Sequence, residues 1–143
     1  MRCIDIMKTD VTSAGPETTV RDAARRMRDH NIGFLPICGK DGRVEGVVTD
    51  RDICCRVVAN DKDLDTAISS YMSAEHLATV HPNDDLQRVQ QVMATNRVGR
   101  VLVCDEHGKL RGVISLADLA QVADATQCMN TLKRLSAREV VGA

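Results

Sequence analysis

Two hydroxyl–carboxylate pairs are the residues of this chain best suited to chemistry. Thr49 and Asp52 stand three residues apart, and so do Ser115 and Asp118. An ionised carboxylate only accepts hydrogen bonds and can bridge two vicinal hydroxyl groups, while a Thr or Ser hydroxyl adds one more contact. The same spacing is that of a capping box that begins a helix. Spacing alone favours the cap, and the two roles are compatible because a cap can position the carboxylate.

The other reactive residues form no recognisable catalytic or metal-binding set. The six cysteines and four histidines show neither Cys-x-x-Cys nor His pairs at i, i+4, so zinc is not indicated. No nucleophile–base arrangement and no glycine-rich phosphate loop occurs. Cys54 and Cys55 would diverge by about 100° on a helix. The residues therefore favour no enzyme, and no obligatory cofactor is expected.

The two pairs belong to an internal repeat with an offset of 66 residues. The segment 46–53 returns as 112–119, and the match continues backwards as far as Pro16 and Pro82. In each copy a short extended piece precedes an amphipathic helix capped by Thr19 or Asp85, and a hairpin then leads into a second helix. This is a strand–helix–strand–strand–helix unit, present twice, and neither copy is long enough to bury a good core alone.

The repeat sets the expected domain boundaries. We predict repeat 1 over 3–60, repeat 2 over 65–125 and a C-terminal helical tail over 126–143, with a polar joint between the repeats. Gly33 and Gly99 close the first helix of each copy and are expected to supply a positive φ there. The tail carries an apolar stripe and has no counterpart after the first copy. It either covers the protein or meets a partner. The stripe consists of Ala125, Cys128, Met129, Leu132 and Leu135.

Composition excludes several classes of partner. The net charge is −1 with 27% charged residues, and Phe34 and Tyr71 are the only aromatic residues. We therefore expect no nucleic-acid binding, because a basic stripe and stacking platforms are both missing. No apolar run approaches the roughly 20 residues of a membrane span. The N-terminus lacks the apolar stretch of a signal peptide. A cytoplasmic location with reduced cysteines is expected.

At the paired Gly-apolar-apolar-Thr/Ser-x-x-Asp motif the chain resembles a pair of CBS domains, the regulatory repeats named after cystathionine β-synthase. The resemblance covers about residues 3–125 and is to stand-alone bacterial CBS proteins. It implies an α/β (α+β) fold in which two βαββα repeats pack with pseudo-twofold symmetry. It also implies clefts that take adenosine compounds such as AMP, ADP, ATP, NAD or S-adenosylmethionine. Proteins of this kind commonly form disc-like homodimers and signal to a protein effector, which is unknown for this chain.

The resemblance also implies roles for individual residues. Ribose contacts fall to Thr49, Asp52, Ser115 and Asp118. Phosphate contacts fall to Arg100, whose counterpart is Phe34, to Arg97, whose counterpart is Asn31, and to Arg51. The adenine would lie on Thr12, Ile32, Val47, Ala78, Val98 and Val113.

These residues are expected to form two unequal clefts. One would combine Ser115, Asp118 and Arg100 with the backbone near Thr12 and Ile32. The other would combine Thr49, Asp52 and Arg97 with the backbone near Ala78 and Val98. Two alternatives to a nucleotide sensor stay open: an interaction module that dimerises and displays its tail, and a thiol-based redox sensor.

Overall fold

A computed structural model describes the backbone of residues 1–142 and the side chains as far as residue 136. The predicted α/β architecture of two βαββα repeats is confirmed by the order of the elements. The helices are α1 (Cys3–Ile6), α2 (Val20–His30), α3 (Asp50–Asp52), α4 (Leu86–Asn96), α5 (Leu116–Ala120) and α6 (Ala125–Gly142). A π-helical stretch (Ile53–Val58) continues α3, and a 3₁₀ turn occupies Ile68–Ser70. The strands are β1 (Phe34–Cys38), β2 (Val44–Thr49), β3 (Thr79–Val80), β4 (Arg100–Cys104) and β5 (Leu110–Ser115).

The chain divides into two compact units. The first-repeat unit is Thr12–Leu77. The second-repeat unit combines Met1–Val11 with the chain from Ala78 onward. Each unit therefore contains the hairpin of one repeat together with the first residues of the other repeat.

In the first-repeat unit, α2 packs its apolar stripe against an antiparallel β1–β2 pair. Thr19 caps α2 by accepting a hydrogen bond from the Asp22 amide at 3.1 Å. Ala14 adds a parallel bridge beside β1 at Ile37. The stripe reaches the core because apolar residues at helical spacing share one face. The core of this unit includes Val20, Ala23, Met27, Leu35, Ile37 and Val48.

The second-repeat unit has the same arrangement, but its sheet has three strands instead of two. Here β3 runs parallel to β4, and β4 runs antiparallel to β5. Asp85 caps α4 by accepting from the Arg88 amide at 2.9 Å. Buried residues of α4, β4 and β5 form the core, including Val89, Met93, Val101, Val103 and Ile114.

The segments that begin the two repeats, residues 1–11 and 65–77, are called the leading segments here. Their pairing is the part of the fold that the sequence did not predict. Lys8 pairs with Val113 at the edge of β5, and Ser73 pairs with Val47 at the edge of β2. Lys8 and Ser73 are therefore equivalent, although they lie 65 rather than 66 residues apart. Each leading segment also buries one residue in its unit, since Cys3 and Ile68 are both fully buried.

The helix ends correct the prediction about glycine. Asn31 and Arg97 hold the left-handed backbone, with φ of 54° and 55°, at the ends of α2 and α4. The prediction that Gly33 and Gly99 supply the positive φ is wrong. At Gly33 a Cβ would lie 2.6 Å from Oδ2 of Asp50, so a larger residue there would require the Asp50 side chain to move.

The tail forms the predicted helix, but its buried face differs from the predicted stripe. Thr131 is buried, whereas Met129 and Leu132 are exposed. The helix packs against α4 and α5 of the second-repeat unit, and Gln127 accepts a hydrogen bond from the Gln90 amide group at 3.3 Å. Among the helices within residues 1–142, none combines the length and apolar character needed to cross a bilayer.

Candidate functional site

Both hydroxyl–carboxylate pairs form capping boxes. The Asp52 amide donates to Oγ1 of Thr49 at 3.2 Å, and the Thr49 amide donates to Oδ2 of Asp52 at 2.8 Å. The Asp118 amide donates to Oγ of Ser115 at 3.1 Å, and the Ser115 amide donates to Oδ2 of Asp118 at 2.9 Å. Each box therefore engages one carboxylate oxygen, Oδ2, and fixes the orientation of the other.

The second oxygen of Asp118 meets a cation that sequence reasoning missed. Lys8 Nζ lies 3.2 Å from Oδ1 of Asp118, with the Lys8 side chain 71% exposed and the Asp118 side chain 12% exposed. Burial acts to raise the pKa of Asp118, but the hydrogen bonds from Ser115 and the ammonium of Lys8 outweigh it. The pKa therefore falls below its usual range. The first-repeat equivalent of Lys8 is the uncharged Ser73.

The first-repeat pair has a second carboxylate in the same helical turn, which the second-repeat pair lacks. Asp50 is the first residue of α3, and its Oδ1 accepts a hydrogen bond from the Arg51 amide at 2.9 Å. Its Oδ2 stands over Gly33. The corresponding residue of the second repeat is Leu116, the first residue of α5. Comparing the two copies at this position would have identified Asp50 from the sequence as a difference between them. Lys8 could not be found in this way, because its counterpart Ser73 lies 65 rather than 66 residues away.

The three predicted phosphate-binding arginines occupy different kinds of position. Arg100 is the direct register partner of Ser115 across β4 and β5. Phe34 is the register partner of Thr49 in the same place of the first repeat. Arg97 ends α4 in the left-handed conformation. Arg51 is exposed in the first turn of α3. The strand register thus places an arginine opposite the hydroxyl residue of the second-repeat pair and a phenylalanine opposite that of the first-repeat pair.

The six predicted adenine-contacting residues are all half-buried. None of the six is fully buried and none is fully exposed, so each keeps part of its surface outside the core. Val47 and Val113 lie at equivalent strand positions, opposite Ser73 and Lys8. The first-repeat unit holds Thr12, Ile32 and Val47, and the second-repeat unit holds Ala78, Val98 and Val113.

The cysteines differ in their environment. Cys54 and Cys55 are exposed on the π-helical stretch, whereas Cys3 is buried. Burial, assisted by the nearby Asp84, raises the pKa of Cys3 to about 11, so this thiol stays protonated at neutral pH. Among the side chains that the structure describes, no three His, Cys, Asp or Glu residues converge as metal ligands.

A duplicated βαββα unit with a capped hydroxyl–carboxylate pair at the end of each hairpin defines a tandem regulatory repeat. The chain belongs to the CBS domain family, whose model matches residues 3–59 and 68–125. Hypoxic response protein 1 of Mycobacterium tuberculosis is 40% identical over 117 residues, which span 82% of this chain and 81% of that protein. Such relatives are stand-alone CBS proteins.

Solved structures of CBS proteins share this fold. The crystal structure of Hypoxic Response Protein I with two coordinated zinc ions has a TM-score of 0.78 and 35% identity, covering 87% of this chain and 100% of that one. PAE2072 from Pyrobaculum aerophilum, complexed with AMP, has a TM-score of 0.77 and 24% identity, covering 93% and 99%. The CBS pair of MJ0100 in complex with 5′-methylthioadenosine and S-adenosyl-L-methionine has a TM-score of 0.75 and 23% identity, covering 85% and 94%.

Proposed function

We propose that this CBS pair is a regulatory sensor that binds adenosine compounds through its two hydroxyl–carboxylate pairs and catalyses no reaction. The observation that carries the proposal is the half-used carboxylate. In each capping box Oδ2 is held by the backbone, so Oδ1 of Asp52 remains to accept from a ligand, and Oδ1 of Asp118 accepts from one by exchanging its exposed contact with Lys8. The adenosine complexes of PAE2072 and MJ0100 support the same ligand class.

The proposed recognition divides the ligand among three groups of residues. The ribose hydroxyls donate to the carboxylate oxygens, as an acceptor-only group requires. Phosphate oxygens accept from Arg100, Arg97 or Arg51, since guanidinium groups match phosphate geometry. Adenine contacts are assigned to the half-buried residues of each unit, which are Thr12, Ile32 and Val47 in the first-repeat unit and Ala78, Val98 and Val113 in the second-repeat unit. The ligands considered are AMP, ADP, ATP, NAD and S-adenosylmethionine.

Signalling then follows from linkage. A ligand that binds the folded protein better than other states shifts the population toward the bound form. At 100 times its dissociation constant it adds about 2.7 kcal/mol to the free energy of unfolding. We propose that a homodimer in the cytoplasm reports this change to a protein effector.

The first prediction concerns thermal stability with and without ligand. Millimolar AMP, ADP, ATP, NAD or S-adenosylmethionine should raise the Tm of the wild-type protein, measured by differential scanning fluorimetry. The double variant Asp52→Asn, Asp118→Asn should lose the shift, because an amide presents a donor where the ribose hydroxyl needs an acceptor.

Asp85→Asn is the matched control, since Asp85 also caps a helix but belongs to neither pair. It should keep the ligand-induced shift. The absence of a shift with all five ligands, or an unchanged shift in the double variant, would contradict the proposal.

A second candidate function is favoured by the exposed apolar residues near the tail. Val122, Met129 and Leu132 are 41%, 52% and 44% exposed. An interaction module would use this surface and would not depend on either carboxylate. Sedimentation velocity of the double variant distinguishes the two functions. A variant that loses ligand binding but keeps its oligomeric state shows that association does not depend on the carboxylates.

A further inference from the structure

We propose that the two hydroxyl–carboxylate pairs select ligands by charge, with Lys8 and Asp50 as the specificity-determining residues. The second-repeat pair would take phosphorylated adenosines, and the first-repeat pair would take uncharged or cationic ones. This inference rests on the proposed function, and it adds the chemical class of ligand for each pair.

Lys8 carries the argument for the second-repeat pair. Its ammonium lies 3.2 Å from Oδ1 of Asp118, the oxygen that the capping box leaves for a ligand. The Lys8 side chain is 71% exposed, and an ion pair with so much solvent around it is weak and easily exchanged. When ribose hydroxyls engage Oδ1, the ammonium is released within reach of a phosphate on the same ligand, and Lys binds phosphate as a point charge.

Arg100 adds a second positive charge at the same place. It is the register partner of Ser115, the hydroxyl half of the pair. Lys8 is held there by its backbone bridge to Val113, two residues before Ser115 on β5. Two positively charged residues therefore accompany the second-repeat pair, Lys8 at its carboxylate and Arg100 at the register position of its hydroxyl, and an anionic ligand is favoured.

The first-repeat pair has the opposite balance. Its counterpart of Lys8 is Ser73, and its counterpart of Arg100 is Phe34. Asp50 places a second carboxylate two residues from Asp52, and its Oδ1 accepts from the backbone amide of Arg51. Arg51, between the two acidic residues in the sequence, is exposed and contributes one positive charge to this segment. The charges of the first-repeat unit therefore favour an uncharged thioether or a sulfonium over a phosphate.

The experiment compares two ligands that share the nucleoside and differ in charge. AMP and 5′-methylthioadenosine are titrated into the full chain by isothermal calorimetry at low and at high salt. Asp118→Asn should abolish the AMP site, and Asp52→Asn should abolish the methylthioadenosine site. High salt should weaken AMP binding and leave methylthioadenosine unchanged, because screening acts on charge pairs near the surface.

The specificity residues are tested with substitutions taken from the opposite repeat. Lys8→Ser should weaken AMP about tenfold, as expected for the loss of one nearby charge, and should leave methylthioadenosine unaffected. Asp50→Leu should allow AMP to bind at the first-repeat pair as well. Lys109→Ser is the control, since Lys109 is an exposed lysine of the same unit in the turn before β5.

The outcomes separate this inference from the proposed function. Binding of both ligands with equal affinity at both pairs, or an unchanged AMP affinity in Lys8→Ser, overturns charge selection alone. Failure of the wild-type protein to bind either ligand overturns this inference, and the proposed function falls with it only if ADP, ATP, NAD and S-adenosylmethionine also fail to bind.

Discussion

At the scale of single residues, Arg97 occupies a position that favours a different side chain. Its φ of 55° is left-handed, and its counterpart Asn31 has φ of 54°. Asparagine tolerates this conformation, whereas other residues with a Cβ generally lose about 1 kcal/mol or more there. Strain of this kind occurs at functional sites, which supports the proposed phosphate contact of Arg97.

Replacing this arginine should therefore separate stability from binding. Arg97→Asn should raise the free energy of unfolding by about 1 kcal/mol, measured by urea denaturation, because it relieves the left-handed strain. The reciprocal variant Asn31→Arg should lower it. If Arg97 contacts phosphate, the stabilised variant binds AMP more weakly. An unchanged unfolding free energy in both variants would contradict the strain argument.

At the scale of elements, the leading segments lie against the hairpins at glycine positions. A Cβ at Gly112 would stand 2.8 Å from the carbonyl oxygen of Lys8, and one at Gly46 would stand 2.9 Å from that of Ser73. A backbone atom cannot turn away as a side chain can. The two glycines of the repeated Gly-apolar-apolar-Thr/Ser motif are therefore required by the packing of these segments.

Alanine at these glycines should displace the leading segments. Gly46→Ala and Gly112→Ala should each lower the free energy of unfolding by about 1–3 kcal/mol, the usual cost of overpacking. Gly112→Ala should also weaken AMP binding, because it moves Lys8. Gly99→Ala is the matched control, since a Cβ at Gly99 meets no atom within 4 Å. Its unfolding midpoint in urea should not fall.

At the scale of the whole molecule, each compact unit needs a segment from the far side of the repeat boundary. The first-repeat unit requires the buried Ile68, and the second-repeat unit requires the buried Cys3. The boundary between the repeats in sequence therefore does not separate two self-sufficient structures.

Cutting the chain at the polar joint tests this dependence. Fragments 1–62 and 63–143 should each fold poorly alone, because each sheet lacks one edge segment and each core lacks one buried residue. Mixed in equal amounts, they should regain the circular dichroism spectrum and cooperative melting of the intact chain. Two fragments that melt cooperatively on their own would contradict this prediction.

The sequence predicted the parts of this fold that depend on nearby residues. The caps at Thr19 and Asp85, the hairpins and the α2 stripe all follow from local spacing, and the structure confirms them. The pairing of the leading segments depends on contacts between distant parts of the chain, which spacing cannot specify. For the same reason the repeat revealed Asp118, whereas the lysine beside it became visible only in the structure.

The reciprocal placement of the leading segments has a consequence for the origin of this protein. Before the duplication, a chain with one copy would have carried an edge segment that had no place on its own sheet. A second molecule of the same chain could supply the missing piece and receive one in return. The present chain makes, within one polypeptide, an exchange of edge segments that a one-copy chain could make only between two molecules.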